Sequence, residues 1–377
     1  MKSRNLSIDI TSSERSLLTL LFTKISLADP DILVGHDIFE YVFKLLIHVA
    51  ANQKVAIWSR LGRFKQTKMP KNSKIHEGMS IYCGRLAVDL KPLSEELVKY
   101  SNYDLNELCN RLLDINRSSV DWMNINNYFT KSSILLSLIQ LLMNDGFYCL
   151  QIMDKLNIIP LFYQISSICG HPLSRALALG RAERIEYLLL HGFTESACIC
   201  PDKSRKNMYK TIPNQVSTLK EEEIVKKAKS TYDGGLVLEP KAGFYSNVIL
   251  LLDYMSLYPS LIQEFNIDFT TMKFELQNDI LVAVPIDTVA SLGVIPREIK
   301  KLVDRRKQVK SLIRTTDSAC SDYLQLDIRQ RALKLIANSI YGCLGYSNSR
   351  FYAKPLAALI TAKGRELLNS TKEMVES

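Results

Sequence analysis

The chain has 377 residues, 47% hydrophobic and 23% charged, with a formal net charge of +9. That length supports two or more separately cored domains, and the composition is that of an ordinary globular protein rather than a collagen-like or disordered one. The positive balance favours polyanionic partners, nucleic acid or an anionic membrane surface, and says nothing about fold.

The opening MKSRNLSIDI has no signal-peptide core, and the longest apolar stretch, Ile134 to Met143, is interrupted and too short to span a bilayer. A soluble intracellular protein is expected. The cysteines and histidines are scattered. Only Cys198 and Cys200 lie close, and a lone C-x-C is a poor zinc signature, so reduced thiols are expected. Walker A, G-x-G-x-x-G and H-E-x-x-H patterns are absent from the sequence.

In chain order, Ser13 to Leu46 reads as helix, break, strand, helix. SERSLLTLLFTKISLADP is an amphipathic helix closing at Asp29-Pro30, and Ile32 to Val34 is a short apolar strand ending at Gly35. Trp58 to Lys71 is a basic run with aromatic punctuation, suited to a solvated loop or to a phosphate backbone. Leu173 to Gly192 has the pattern of one helix stopped by its glycine. Pro201 to Gly235 is rich in Lys, Glu, Ser and Thr, the profile of a mobile linker, and ends in a Gly234-Gly235 pair. Paired glycines permit positive φ or a close backbone approach, and an ordinary hairpin turn has the same look. Gly235 to Tyr245 reads as strand and turn.

Val248 to Leu252 is uniformly apolar, as a strand buried on both faces requires, and runs into Asp253. The turn Ser256-Leu257-Tyr258-Pro259-Ser260 follows. Pro259 cannot donate to a ladder but suits the first turn of a helix, whose backbone N–H groups can receive an anion. On spacing alone Asp253 is also a helix cap or turn former.

Pro296 to Arg314 is a basic helix whose Ile299, Leu302, Val303 and Ile313 form one stripe. Arg306 and Lys310 project inside that stripe. An unpaired buried charge is costly, so these two need an anionic partner on the core side unless they snorkel at its edge. Lys300, Lys301, Arg305 and Lys307 belong to solvated faces. After a polar connector, Thr315 to Ser321, a second helix runs from Asp322 to Leu344. Leu326, Leu333, Ile336 and Ile340 line its apolar side, and Lys334, Asn338 and Tyr341 share a polar face. Two helices joined this closely pack antiparallel and can aim Arg306, Lys310, Lys334 and Asn338 at one volume.

DYMSLYPS resembles motif A of the family B DNA polymerases, D-x-x-S-L-Y-P-S. Lys334-x-x-x-Asn338-Ser339-x-Tyr341-Gly342 resembles their motif B, and Arg306-Lys307 with Lys310 resembles the basic motif of their fingers. The three stand in the family's order. QEFNIDFTT, PREIKKLVDRRKQVK and GCLGYSNSRFYAKPLAALITAKGRE look most like its alpha branch. The resemblance implies template-directed transfer of deoxynucleotides from dNTPs to a primer 3′-hydroxyl, with two Mg²⁺ ions. It makes Asp253 and the Tyr254 carbonyl metal ligands, and Asp253 and Lys334 catalytic. It gives Ser256, the Leu257 amide, Tyr258, Arg306, Lys310, Lys334 and Asn338 to the nucleotide, with the Tyr258 ring excluding a 2′-hydroxyl. It gives Tyr232, Gly234, Gly235, Tyr341 and Gly342 to DNA. Primase and accessory polymerase subunits as partners, through regions outside this chain, and a nuclear location are also implied.

The same resemblance implies an α/β multi-domain fold. Residues 1–165 would be an exonuclease-like, RNase H-like domain, 166–235 a connector and linker, and 236–296 the first part of the palm with motif A. Residues 297–345 would be the fingers helices with motif B, and 346–377 a returning palm segment. Aligned on Gly35 and Ile38, the metal-binding acid of the second exonuclease motif is replaced by Val42. At the third exonuclease site Asp145 is present, but the expected tyrosine is Leu141, so proofreading chemistry is not expected. The chain is expected to be a fragment, begun inside the exonuclease-like domain and ended before motif C, and so inactive in synthesis alone. The competing reading is a catalytically dead relic that holds primed DNA.

Overall fold

The structure, a computed structural model, describes residues 8–68, 81–178, 180–200, 202, 234–277, 280–286, 291–317 and 320–376. It divides into two compact units, Met1–Tyr163 with Pro172–Leu179, and Gln164–His171 with Gly180–Ser377.

In the first unit, helix α1 (Glu14–Ala28) opens on a capping box between Ser13 and Ser16, and closes at Asp29, a left-handed residue whose N–H bonds Ile25 O. Leu18 and Phe22 turn into the core. Strand β1 (Ile32–Gly35) then pairs in parallel with β2 (Leu86–Asp89), Gly35 opposite Asp89. A π-turn, Ile38–Val42, leads into α2 (Phe43–Asn52). Asp89 organises this corner. Its buried carboxylate accepts the N–H groups of Asp37 (2.8 Å), Phe39 (3.1 Å) and Lys91 (3.3 Å), so it caps α3 (Leu90–Leu97) while pinning the π-turn. Burial pushes the Asp89 carboxyl up, and the three N–H groups oppose that shift. Val42 is half-buried against Phe43, Ile47 and their neighbours, a packing position for an apolar side chain.

The basic run begins differently from the expected solvated loop. Trp58 and Leu61 are buried in a 3₁₀ turn, and Arg63 bonds Asp29 (2.8 Å) and Asp31 (2.6 Å). Buried Arg85 joins Asp29 from the other side at 2.8 Å. The two guanidiniums, Arg63 foremost, hold the Asp29 carboxyl below its ordinary range. Carboxylates close in space have taken the guanidinium that the run alone leaves free. Met69 to Lys71 lie outside the described residues.

After α4 (Leu105–Leu113), helix α5 (Ser132–Lys155) packs on α3, α4 and β1. It corrects the reading of Ile134 to Met143 as a short interrupted stretch. The helix continues through Asn144-Asp145-Gly146, and with a mean hydropathy of 1.4 over its best window it is long and apolar enough to cross a membrane by length and composition. The interruption is tolerated because Asp145 is held two-pronged by Arg117 at 2.6 and 2.7 Å. Helix α6 (Ile158–Cys169) is divided between the units, and the short α7 (Leu173–Ala178) lies on β2.

The second unit is mostly helical: α8 (Arg181–Glu195), α9 (Leu257–Glu264), α10 (Val294–Thr315), α11 (Ser321–Gly345) and α12 (Lys354–Glu376). Helices α10 and α11 pack as a hairpin, α8 lies against both, and α9 touches α10, α11 and α12. Phe193 stacks on Phe351 with centroids 5.4 Å apart, and Phe269 meets both rings. The Leu173 to Gly192 helix is in fact two, α7 and α8, and Gly192 lies inside α8. A Cβ there would come within 2.9 Å of Glu298 Cγ on α10, so the glycine serves close helix packing instead of a stop.

A further expectation is overturned at Val248 to Leu252. These residues and Gly235 to Tyr245 carry no regular secondary structure, and Val248, Leu250 and Leu251 are 97%, 77% and 90% exposed. A buried strand needs ladder partners. The two strands of this unit, β3 (Met272–Gln277) and β4 (Ile280–Pro285), pair with each other as a hairpin. Among the described residues none lies beside 248–252. The sequence reading missed that hairpin.

Burial of the eight free thiols is uneven. Burial pushes Cys149 up to about 11 and Cys169 up to about 12, whereas Cys83 and Cys320 are exposed. A thiol raised this far carries almost no thiolate at pH 8. A short iodoacetamide pulse read by peptide mass spectrometry is expected to modify Cys83 and Cys320, and to spare Cys149 and Cys169 until denaturant is added. Equal labelling of Cys149 and Cys320 would contradict the fold.

Candidate functional site

The sequence-predicted residues gather around the start of α9. Ser256 adopts φ 60°, ψ 56°, a left-handed conformation that costs a non-glycine residue about 1 kcal/mol. It turns the chain directly into the helix, and its carbonyl accepts the Ser260 N–H at 3.0 Å. Its hydroxyl makes no capping bond. Such strain persists where the surroundings impose it, commonly at binding sites. Pro259 falls in the first turn, where its missing N–H costs nothing.

Asp253 stands exposed at the head of this turn, with no hydrogen-bond or ion-pair partner for its carboxylate among the described residues. Next to it, the Tyr254 hydroxyl is bonded to Thr371 on α12, which fixes the backbone that would present the Tyr254 carbonyl. Tyr258, the second residue of the helix, lies against Tyr341 of α11 with ring centroids 4.4 Å apart and planes at 33°. The first and last of the predicted motifs therefore meet in one side-chain contact. Gly235 reaches the same place, since a Cβ on it would lie 2.6 Å from the Tyr258 hydroxyl. Arg365 bonds the carbonyl of Gly234 at 3.2 Å and ties that segment to α12. Tyr232 lies outside the described residues.

On α10, Ile299 and Leu302 are buried as predicted, and Arg306 is half-buried with its Nε shut off from solvent and without a hydrogen-bond partner among the described residues. A buried donor left unmade costs about 1–3 kcal/mol, so this guanidinium is short of an acceptor. Lys310 departs from the expectation. It is exposed, and Val309 takes the buried position, because α8 and α11 together cover a face shifted from the predicted stripe. Lys334, Asn338 and Gly342 are exposed along α11, and Tyr341 is half-buried. Neither Lys310 nor Lys334 has an acidic partner among the described residues. By contrast Lys307 pairs with Asp304 at 3.6 Å, and Arg331 with Asp327 at 2.6 Å.

Two polar residues that the sequence reading left without a role fix the base of α10. Buried Asp268 accepts the N–H of Ile295 at 3.0 Å, and both the N–H and the hydroxyl of Thr270, at 3.0 and 2.5 Å. Asn266 accepts the Gly293 N–H at 2.8 Å and donates to Ser291 O at 3.0 Å. A Cβ on Gly293 would collide with Asp268 at 2.5 Å. The loop after α9 thus grips the first turn of α10, and helix packing carries the grip to Arg306. The available signal was Asn266-x-Asp268 in an otherwise apolar stretch. Glu186, buried on α8 and bonded to Arg350 at 3.1 Å, was likewise missed.

For a divalent cation, the exposed Asp253 carboxylate and the adjoining carbonyl are suitable hard oxygen ligands. Among the described residues no cluster of three or more His, Cys, Asp or Glu side chains could hold a metal. The site therefore fits as a contributor of ligands, not as a closed cage.

The family profile described as DNA polymerase family B matches residues 171–377, and that of the DNA polymerase family B exonuclease domain matches residues 1–108. The chain is similar to the DNA polymerase alpha catalytic subunit of Xenopus laevis, 45% identical over 389 residues, covering 100% of this chain and 26% of that protein. Similarity to the Mus musculus subunit is 45% over 398 residues, covering 100% of this chain and 27% of the other. The chain thus spans about a quarter of the length of the curated relatives it matches. Among solved structures, the family B DNA polymerase from the hyperthermophilic archaeon Pyrobaculum calidifontis superposes with a TM-score of 0.72 at 23% identity, covering 98% of this chain and 46% of that one. At that identity the likeness concerns the fold, an exonuclease-like α/β portion followed by a polymerase portion.

Asp268→Ala would leave the buried Ile295 N–H without its acceptor and release the exposed Thr270 from the turn. The expected cost is about 3 kcal/mol in urea unfolding, with faster hydrogen exchange at Ile295. A change below about 0.5 kcal/mol, the range of an inconsequential surface substitution, would contradict the anchoring role.

Proposed function

This chain belongs to DNA polymerase family B, and we propose that it carries the nucleotide-binding part of a template-directed DNA synthesis centre acting in replication. The observation that carries the proposal is the tilted ring contact of Tyr258 with Tyr341, with α9 packed against both α10 and α11. It supports a reading in which the Asp253 turn and the helices that carry Arg306, Lys310, Lys334 and Asn338 serve one nucleotide.

The reaction is attack of a primer 3′-hydroxyl on the α-phosphate of a dNTP, with pyrophosphate leaving. A pair of divalent cations, magnesium in this reading, supplies charge stabilisation at the attacking and leaving oxygens. Toward them this chain offers the Asp253 carboxylate and the Tyr254 carbonyl. Arg306, Lys310 and Lys334 neutralise the triphosphate, and the buried Nε of Arg306 gains the acceptor it is short of. Lys334, exposed and unpaired by acid, can give a proton to the leaving pyrophosphate. The free Ser256 hydroxyl and the Leu257 amide, at a left-handed helix start, receive phosphate oxygens. Asn338 holds the nucleotide. Tyr258 closes the space a 2′-hydroxyl would need, so the sugar is selected by exclusion. Tyr341 and Gly342 meet the nascent pair by shape, and Tyr232, Gly234 and Gly235 follow the DNA backbone.

Kinship with the polymerase alpha catalytic subunits supports primed DNA and dNTPs as substrates. It also supports primase and accessory polymerase subunits as partners, and the nucleus as location.

The test is binding of dATP, with Mg²⁺, to this chain on a dideoxy-terminated primer–template. Arg306→Ala and Lys334→Ala are each expected to weaken dATP about tenfold, roughly the loss of one charge-assisted contact to phosphate. Lys300→Ala, on a solvated face of the same helix, should bind as the parent does. Equal weakening by all three would mean that only bulk positive charge matters, and the assigned site would be wrong.

A further inference from the structure

The ring of Tyr258 is confined on three sides. Its face lies on Tyr341, and its Cε1 edge faces Gly364 of α12, where a Cβ would sit at an ordinary 3.4 Å. Its hydroxyl is aimed at Gly235, where a Cβ would come to 2.6 Å, well inside the contact distance of carbon and oxygen. Among the described residues the glycines with positive φ are Gly84 and Gly170. Gly235 is therefore not needed for its backbone conformation, and it is exposed, so neither strain nor core packing explains it. Besides the place along the DNA backbone proposed for it, it leaves no side chain beside the phenol oxygen.

We propose that Gly235 is a specificity-determining residue, which sets the resting position of the Tyr258 phenol and through it the discrimination between deoxyribose and ribose. The proposal rests on the reading of Tyr258 as the sugar-excluding side chain. Steric exclusion is steep in distance, because repulsion rises within a few tenths of an ångström. A methyl group on Gly235 has to drive the phenol aside, while Tyr341 and the α12 edge limit where the ring can go. A displaced ring either opens room for a 2′-hydroxyl or crowds deoxyribose and ribose alike. In both cases the preference for the deoxynucleotide falls.

The experiment compares dATP with ATP as ligands of this chain on a dideoxy-terminated primer–template with Mg²⁺. The parent chain should prefer dATP, and Tyr258→Ala should abolish the preference. Gly235→Ala should lower the dATP-to-ATP affinity ratio about tenfold, in the range set by a single steric contact. Gly235→Ser carries the same Cβ and serves as a second variant with the same expected loss. In a Tyr258→Phe background the hydroxyl is gone, and Gly235→Ala should then leave the ratio within about twofold. Loss of stability would weaken both nucleotides together, so the ratio isolates the effect on the sugar. If Gly235→Ala keeps the parent ratio while Tyr258→Ala loses it, the role of Gly235 is refuted and the reading of Tyr258 stands. An equal fall in the Tyr258→Phe background would also refute it, since the hydroxyl would not be the target. If Tyr258→Ala leaves the preference intact, the sugar-excluding reading fails, and the role of Gly235 fails with it.

Discussion

The second unit depends on one short helix being wedged against three long ones. Helix α9 touches α10, α11 and α12, and its Tyr258 ring is the point where it bears on α11. The wedge brings a turn and a helix distant in sequence into side-chain contact. Its neighbours reinforce it: Tyr254 is tied to Thr371, Gly364 of α12 lies along the ring edge, and Asp268 grips the first turn of α10. Leaving out side chains at Gly235 and Gly293, and placing acceptors at Asn266 and Asp268, are two ways to the same end. The helix that follows the Asp253 turn is held against helices that carry exposed cations.

The cations illustrate the electrostatic logic. Charges that serve the fold are paired inside it: Arg63 and Arg85 with Asp29, Arg117 with Asp145, Arg350 with Glu186. Lys310 and Lys334 have no such partner among the described residues, and the Arg306 Nε is buried without an acceptor. Asp253 is likewise unneutralised. A polyanion carrying its own cations would satisfy both sets of groups at once.

Much of this was legible in the residues. The helical stripes of α10 and α11, the helix start at the Pro259 turn and the closure of α1 at Asp29-Pro30 follow from local periodicity and caps, which one segment can encode. What failed depends on neighbours. Val248 to Leu252 has the composition of a central strand, but a strand is made by its ladder partners, and none is paired with it here. Gly192 looks like a stop until α10 is seen to need its missing Cβ. Lys310 was assigned to the buried stripe of α10 because the packing of two other helices, not the sequence of one, sets which face is covered. In α5, Asn144-Asp145 looks like an end because Arg117, which accommodates Asp145, is distant in sequence.

The central claim is that the Asp253–Tyr258 turn and the Lys334–Tyr341 face of α11 bound the same nucleotide. Photolabelling this chain with 8-azido-dATP on a primer–template, followed by peptide mapping, tests it directly. The account predicts adducts in both the 253–265 and the 334–345 segments, with both suppressed together by unlabelled dATP. Adducts confined to residues 8–163, or competition that clears one segment and spares the other, would contradict it.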